Sequence, residues 1–474
     1  MSVLQPSPIT ALVAGARWQV AADSHHRRAT GPWIASAVLL GADLTALSLA
    51  AAVSVLVWRQ MDARLTAGTY VHLWAVLLLF PVAYGASGLY PGFGRSPVDV
   101  LRRLSAATSL VYPALAVTIF LLKDGPSYSR AVFLLAWIQS LATVPLTRGL
   151  VTYLLADRRW WGDEVAVIGT GEGAFLIARS LAKRAELGLK PVIVLDEPHR
   201  ALQLSKACPV RHAILVGGPH IDLAELYGKL SWIFPRITVV PDLIGLSSLW
   251  AEPRDLGGMI GLEIRQRLLM PGVRLIKRVV DLCATLLVAA SSLPAVVIIA
   301  VAIKLTSPGP IFYGHIRYGR GGKPFVAWKF RTMVADASTV LEWHLQRSPA
   351  LRAEWNRDHK LRRDPRITAV GRLLRRTSFD ELPQVWNVLR GQMSLVGPRP
   401  IVAAEIQYYG EAFELYKQVL PGITGMWQVS GRNNLTYEER VQCDLYYIRN
   451  WSPWLDLYIL ARTVPAVILA RGAY

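Results

Sequence analysis

The chain has little that would hold a secreted or metal-built fold together. Its three cysteines, Cys208, Cys283 and Cys443, are far apart in 474 residues. They offer no disulfide framework and no metal-ligand spacing, and they read as reduced packing residues facing the cytoplasm. Acidic residues are scarce as well: 33 Asp and Glu stand against 52 Lys and Arg, a net charge of +19. Such an excess calls for anionic partners, either phospholipid head groups or phosphorylated ligands. Nucleic acid is not expected, because no nucleic-acid-binding module is present and the cations flank apolar segments. Nor is a cleaved leader expected, since the first apolar segment starts late and runs long.

Apolar residues are plentiful, at 53% of the chain with a mean hydropathy of +0.32. Residues 1–30 are polar and basic, ending in His25-His26-Arg27-Arg28, and read as a disordered tail. Four apolar runs follow at about 33–58, 72–90, 104–122 and 130–156. The first and fourth are long enough to span a bilayer, and the other two lie near the lower limit. Arg27 and Arg28, then Arg95, Arg102 and Arg103, then Arg148, Arg158 and Arg159 alternate with poorer loops. By the positive-inside tendency, both ends of this bundle are cytoplasmic. Asp43 lies inside the first run, where a polar pairing or snorkelling role is expected rather than catalysis.

Residues 164–255 alternate short β-rich runs with helical ones, as in a Rossmann-like unit. Val165-Ala166-Val167-Ile168 leads into Gly169-Thr170-Gly171-Glu172-Gly173-Ala174 and a helix to about Ala185. Further strands are expected at 191–195, 213–216 and 237–240, with Asp196 closing the second. Gly169, Gly171 and Asp196 are thus a candidate nucleotide site. A tight strand-to-helix turn kept for packing explains the glycines equally, and is the preferred reading.

The most informative stretch is 377–400, TSFDELPQVWNVLRGQMSLVGPRP. Pro383 lacks an N–H and belongs in a first helical turn. That places Asp380 as the cap, with Leu382, Val385, Trp386 and Leu389 buried and Gly391 as the stop. A capping box from Ser378 to Glu381 fits less well, because it pushes Pro383 too deep. Asp380 and Glu381 would then lie at the positive end of a helix dipole, near Arg372, Arg375, Arg376 and the rigid turn Gly397-Pro398-Arg399-Pro400. Two acids among cations suit phosphoryl transfer, although helix-capping acids are common.

This stretch resembles the catalytic core of bacterial sugar transferases that move a hexose 1-phosphate from a nucleotide sugar onto polyprenyl phosphate. Supporting blocks are Lys329-Phe330-Arg331-Thr332-Met333, Thr306-Ser307-Pro308-Gly309-Pro310, Pro421-Gly422-Ile423-Thr424-Gly425 and Trp427-Gln428-Val429-Ser430-Gly431-Arg432-Asn433. Within that family, Tyr313-Gly314-His315, Ala353-Glu354-Trp355, Pro400-Ile401-Val402 and Gly472-Ala473-Tyr474 look most like the undecaprenyl-phosphate galactose-1-phosphate transferases. The resemblance implies that Asp380 is a covalent nucleophile and that Glu381, with Asp380, holds Mg2+, or that Glu381 helps to activate the incoming polyprenyl phosphate. It also implies that Lys329, Arg331, Arg399 and Arg432 contact phosphates. Asp444 is given a structural or site-lining role only.

A fifth apolar run, 279–305, is long enough to cross, yet it is basic on both flanks and carries Pro294 at its middle. Two half-helices re-entering one leaflet would keep the basic half beside cytoplasmic nucleotide sugars. The resemblance implies the same hairpin, with Leu293 where a serine is expected and Ser292 one place earlier. Trp343 and Trp355 suit a lipid-facing amphipathic helix or ordinary packing, and the aromatic-rich C-terminal quarter suits an interface or a core.

The expected fold is therefore an α/β membrane protein. It has a tail (1–30), a four-helix transmembrane bundle (31–158) and a Rossmann-like accessory domain (159–265). A re-entrant helix with a mainly helical monotopic phosphotransferase domain completes it (270–474). The expected partners are a UDP-sugar, undecaprenyl phosphate and the lipid bilayer of the bacterial inner membrane, with self-association left open and the catalytic domain cytoplasmic. The bundle and accessory domain also resemble membrane-bound NAD-dependent nucleotide-sugar dehydratases. Those enzymes use a tyrosine four residues before a lysine, and no lysine here has one. A non-enzymatic scaffold would leave the acid-and-arginine cluster without a purpose.

Overall fold

The computed structural model of the chain describes residues 31–62, 68, 70, 76–121, 128–158, 160–169, 172–195, 210–218, 223–240, 251–255, 260–264, 266–358, 361, 364–431 and 435–468. The tail 1–30, Gly171, Asp196, Arg432 and the terminal Gly472-Ala473-Tyr474 lie outside them. The chain divides into two compact units, Met1–Ile244 and Gly245–Tyr474.

The first unit contains the helices α1 (Gly31–Met61), α2 (Leu79–Ala86), α3 (Pro97–Leu121) and α4 (Arg130–Leu155). The third begins seven residues before the apolar run, because Pro97 can open a helix and Asp99 can sit in its first turn. Asp99 draws Arg95, Arg102 and Arg103 onto itself, at 3.2, 2.7 and 2.8 Å. A second acid organises the bundle interior. Asp43 of α1 is fully buried and accepts from Arg148 Nε of α4 at 2.7 Å and from the Tyr90 hydroxyl. Arg148 also donates to the Leu89 carbonyl, at 3.1 Å, under the rings of Tyr84 and Tyr90. Arg148 is therefore a buried ion-pair partner and not the topology-marking surface cation expected from its place near the end of the run. The pairing expected of Asp43 is present.

After the bundle come β1 (Asp163–Ile168), α5 (Glu172–Lys183), β2 (Leu189–Leu195), β3 (His212–Val216), α6 (Leu223–Leu230) and β4 (Arg236–Val240). The strands form one parallel sheet in the order β2-β1-β3-β4. Val165 to Ile168 are all buried, as a parallel strand covered on both faces demands. A Cβ on Gly169 would meet Val216 Cβ at 2.9 Å, so packing alone requires glycine there.

The second unit starts with a hairpin, β5 (Ala251–Asp255) and β6 (Ile260–Ile264). The sequence reading had placed these residues in the accessory domain. Next is α7 (Pro271–Thr306), a single 36-residue helix with Pro294 inside it. The expected division into two half-helices is not found. A proline removes one hydrogen bond and can bend a helix without ending it. Ser292 Oγ donates to the Ala289 carbonyl, at 3.4 Å, within the same helix. Helix α7, the α1 segment Pro32–Met61 and α4 are long and apolar enough to cross a membrane.

An antiparallel hairpin follows, β7 (Phe312–Tyr318) with β8 (Pro324–Phe330), then α8 (Ala337–Arg347), α9 (Pro349–Asp358), α10 (Ala369–Thr377) and α11 (Val385–Leu389). Beyond them lie a short parallel pair, β9 (Ser394–Val396) and β10 (Gly422–Thr424), several short helical turns, and two longer helices, α12 (Tyr437–Asn450) and α13 (Pro453–Ile468). The loops holding Gly397 and Gly422 touch backbone to backbone. A Cβ on Gly397 would come within 2.7 Å of the Gly422 nitrogen, which is why both motifs carry glycine. Tyr447 and Trp451 of the aromatic quarter are buried, while Trp343 is half-exposed with Arg347 3.8 Å above its ring. Buried Asp444 accepts from the Tyr409 hydroxyl at 2.6 Å, the structural role expected of it.

Removing one member of the Asp43–Arg148 pair strands the other in an apolar bundle. Asp43→Ala should cost about 3–5 kcal/mol, whereas the double change Asp43→Leu with Arg148→Met should recover most of it. Thermal unfolding midpoints of the three proteins in one detergent check this. A double variant no more stable than the single one would show that the pair does not act as a unit.

Candidate active site

Helix α10 ends at Ser378, which adopts the left-handed backbone (φ 57°), and a tight 3-10 segment, Phe379–Gln384, begins directly after it. Neither expected cap is therefore present. Asp380 lies inside the 3-10 segment, and Ser378 makes no side-chain cap. Sequence pattern alone cannot separate the end of one helix from the start of the next when a single serine does both. The buried face also differs. Gln384, Asn387 and Val388 point inward, while Trp386 is 50% exposed beneath Arg390. Asn387 explains the change. Its amide donates to the Val326 carbonyl at 2.7 Å and its oxygen accepts from the Trp328 N–H at 3.1 Å, fastening α11 to strand β8. Gly391 stops the helix as expected, at φ 75°.

That fastening sets Lys329, near the end of β8, opposite the two acids. Its Nζ lies 2.6 Å from Glu381 Oε1 and 3.5 Å from Asp380 Oδ2. Burial pushes the Asp380 carboxyl above the usual carboxylate range. Lys329 opposes that rise, Glu381 adds to it, and Arg375 opposes it again. Burial would lower Lys329, but Glu381 and Asp380 hold it above its ordinary value.

These three groups open onto a cavity of about 1010 Å3, which Arg317, Arg331, Arg366 and Arg375 also line. Arg331 donates its terminal nitrogens to the carbonyls of Pro308 and Ser307, both at 2.7 Å, holding the Thr306–Pro310 turn in place. Its buried Nε has no partner among the described residues. Arg375 Nε donates to Thr332 at 2.9 Å, and Arg366 is paired with Asp364 at 2.6 Å. Arg399 does not line this cavity. It stacks over Trp427 at 5.0 Å and lies 3.9 Å from Glu405. Sequence reasoning missed His315 and Arg317 as site residues. Tyr313, His315 and Arg317 alternate along β7 with period two, and that alternation facing Lys329 was the available signal. Burial, with Arg317 beside it, lowers the His315 pKa, favouring the neutral ring.

A family profile described as bacterial sugar transferase matches residues 272–470, and one described as CoA-binding domain matches residues 85–214. The chain is 36% identical to the UDP-galactose-lipid carrier transferase of Erwinia amylovora, over 73% of this chain and 76% of that protein. It is 35% identical to the undecaprenyl-phosphate galactose phosphotransferase of Salmonella typhimurium, over 73% and 77%. With the UDP-glucose:undecaprenyl-phosphate glucose-1-phosphate transferase of Escherichia coli it shares 37% identity, over 65% and 68%. The chain belongs to the bacterial sugar transferase family. All the site residues described above fall within the matched segment, and the accessory sheet lies outside it.

The family's expected metal is consistent with the donors present. Among the described residues no group of three or more His, Cys, Asp or Glu is poised to hold a metal. Mg2+ needs no such cage, since it takes one or two carboxylates and completes its shell with water and phosphate oxygens. Asp380 and Glu381 supply hard oxygens of that kind on the wall of a cavity large enough for a phosphorylated ligand.

Because Lys329 opposes the rise of Asp380, replacing it should let that carboxyl rise further. In Lys329→Gln the acid limb of the transfer rate against pH should move to higher pH, together with a lower plateau. A profile that keeps its acid limb while the plateau falls would mean that Lys329 acts on the substrate and not on Asp380.

Proposed function

We propose that this transferase moves hexose 1-phosphate, with galactose 1-phosphate favoured, from a UDP-sugar to undecaprenyl phosphate and so starts a polysaccharide repeat unit. The observation that carries the reading is the partly buried Asp380 beside Lys329, on the wall of a cation-lined cavity. The names and extensive coverage of the galactose relatives support the sugar, but identity to the glucose enzymes is as high. A panel of labelled UDP-sugars separates the two.

In the first half-reaction an Asp380 carboxylate oxygen attacks the β-phosphorus of the UDP-sugar. The bond from that phosphorus to the oxygen bridging the two phosphates breaks, and UMP leaves with the electron pair. In the second, an oxygen of undecaprenyl phosphate attacks the same phosphorus, and the carboxylate of Asp380 is returned. Lys329 orients Asp380, while Arg317, Arg375 and the free Nε of Arg331 face the phosphates, with Arg399 and Arg432 as further contacts. Mg2+, held by Asp380 and Glu381, would screen the approach of one anion to another.

Asp380 as nucleophile predicts that the first half-reaction needs no lipid acceptor. Enzyme with UDP-sugar and Mg2+ should release up to one equivalent of UMP and retain labelled phospho-sugar. Asp380→Asn should abolish both signals. UMP release that appears only with acceptor, and a ternary rate law, would remove the covalent step.

The catalytic unit and both ends of α7 are proposed to face the cytoplasm of the inner membrane. The basic flanks around Pro294 support this, with the helix bent at the proline and returning to the leaflet it entered. With the native cysteines replaced, Gly272→Cys and Lys323→Cys should both be labelled only after the inner face is exposed. Labelling of Lys323→Cys from the periplasm would place α7 straight across the bilayer.

A further inference from the structure

A second cavity, of about 270 Å3, lies at the N-terminal end of α7 and is lined by four cations, Arg274, Lys277, Arg278 and Arg320, and one carboxylate, Asp281. Lys277 is neutralised by Asp281 at 3.0 Å and Asp456 at 2.8 Å. The arginines are not. Arg274 donates Nε to the Leu268 carbonyl at 2.7 Å. Arg278 donates to the carbonyls of Val388 and Leu389, at 2.6 and 3.0 Å. These bonds hold the guanidiniums in place without cancelling their charge. Arg320 stands on the exposed turn after β7 and repels Arg274. Among the described residues no carboxylate forms an ion pair with any of the three arginines.

Like charges held around one small cavity call for an anion from outside the chain, and planar guanidinium forks suit a phosphate. The surroundings narrow its source. The same turns of α7 expose Leu275 (65%), Ile276 (57%), Val279 (52%) and Val280 (50%), and the helix continues as one of those apolar enough to cross a membrane. Basic residues immediately before an apolar run sit at head-group level. At about 100° per residue these apolar side chains lie on the face of α7 opposite the cavity-lining Arg274, Lys277 and Arg278, so the cavity sits at the depth where the other side of the helix meets lipid.

We propose that this cavity binds the phosphodiester head group of an anionic membrane lipid. The assignment does not depend on the transfer reaction, since none of these arginines lines the larger cavity.

Native mass spectrometry of the full chain in non-ionic detergent tests this directly. Phosphatidylglycerol, phosphatidylcholine and inorganic phosphate would each be titrated against the native protein and two variants. Arg274→Gln with Arg320→Gln removes two of the cavity cations, and Arg352→Gln with Arg372→Gln removes two elsewhere in the same unit. Phosphatidylglycerol should form a saturable adduct, weakened roughly tenfold or more by the cavity variant and unchanged by the control. Equal weakening by both variants, or no weakening by the cavity variant, would overturn the site. Equal binding of phosphatidylcholine would also overturn it. Displacement of the lipid by millimolar inorganic phosphate would reassign the cavity to a soluble anion and overturn the lipid assignment. Normal circular dichroism from the cavity variant would show that any weakening is not unfolding.

Discussion

Two carboxylates adjacent in sequence cannot share a half-buried wall unless a cation stands between them, and Lys329 is that cation. Much of the second unit fixes its position. Lys329 stands where it does because β8 pairs with β7 in register, Tyr313 opposite Lys329. Strand β8 in turn is held to the segment bearing the acids by the buried amide of Asn387. One neutral side chain with no chemistry of its own thus sets the distance on which the reactive pair depends. An apolar residue at position 387 would leave the Val326 carbonyl and the Trp328 N–H without these partners, a local cost of about 1–3 kcal/mol each.

A second polar knot connects the apolar helix to the catalytic body. Lys277 of α7 bridges Asp281 and Asp456, Ser394 donates to Asp281 at 2.6 Å, and Tyr447 and Trp451 donate to Asp456 at 2.8 and 3.0 Å. Helix α7, strand β9, helix α12 and helix α13 meet at these groups. Apolar contacts alone would let α7 slide or rotate against the body, because apolar contacts are non-directional. A buried ion pair with directional hydrogen bonds adds little net stability but selects one register. For an enzyme whose acceptor arrives from lipid, a fixed angle between membrane helix and catalytic body matters more than a stronger hold.

The legible parts of this chain are those in which one local signal has one structural meaning. The β-branched run at 165–168 could only be a buried strand. Gly391 could only be a stop, and the acids with Lys329 and Arg331 were recognisable as blocks. Three expectations fail for reasons that composition does not carry. Ser378 looked like a cap candidate because its role as the left-handed end of the preceding helix depends on φ, which composition does not report. Trp386 was assigned to the core by helical period, but a polar residue, Asn387, had a stronger claim on the buried face through its three hydrogen bonds. Arg148 was counted as a surface charge because its partner, Asp43, lies 105 residues away. In the last two cases tertiary pairing overrode a rule that is right on average.

The strong positive charge is not one property with one purpose. Arg148 answers Asp43; Arg95, Arg102 and Arg103 answer Asp99; Arg366 answers Asp364. The two one-to-one pairs neutralise themselves and do structural work, whereas three arginines around the single Asp99 leave two positive charges over. The remaining imbalance concentrates where cations face open space. Arg375 does so at the larger cavity, where Arg317 is partnered by Glu405 at 3.7 Å, and Arg274 and Arg320 do so at the smaller one. Low-dielectric walls around such groups strengthen their field and focus it outward. A chain with the same net charge spread over paired surface sites would bind anions weakly and everywhere. Here buried pairing elsewhere leaves two places where an incoming phosphate meets uncompensated guanidinium groups.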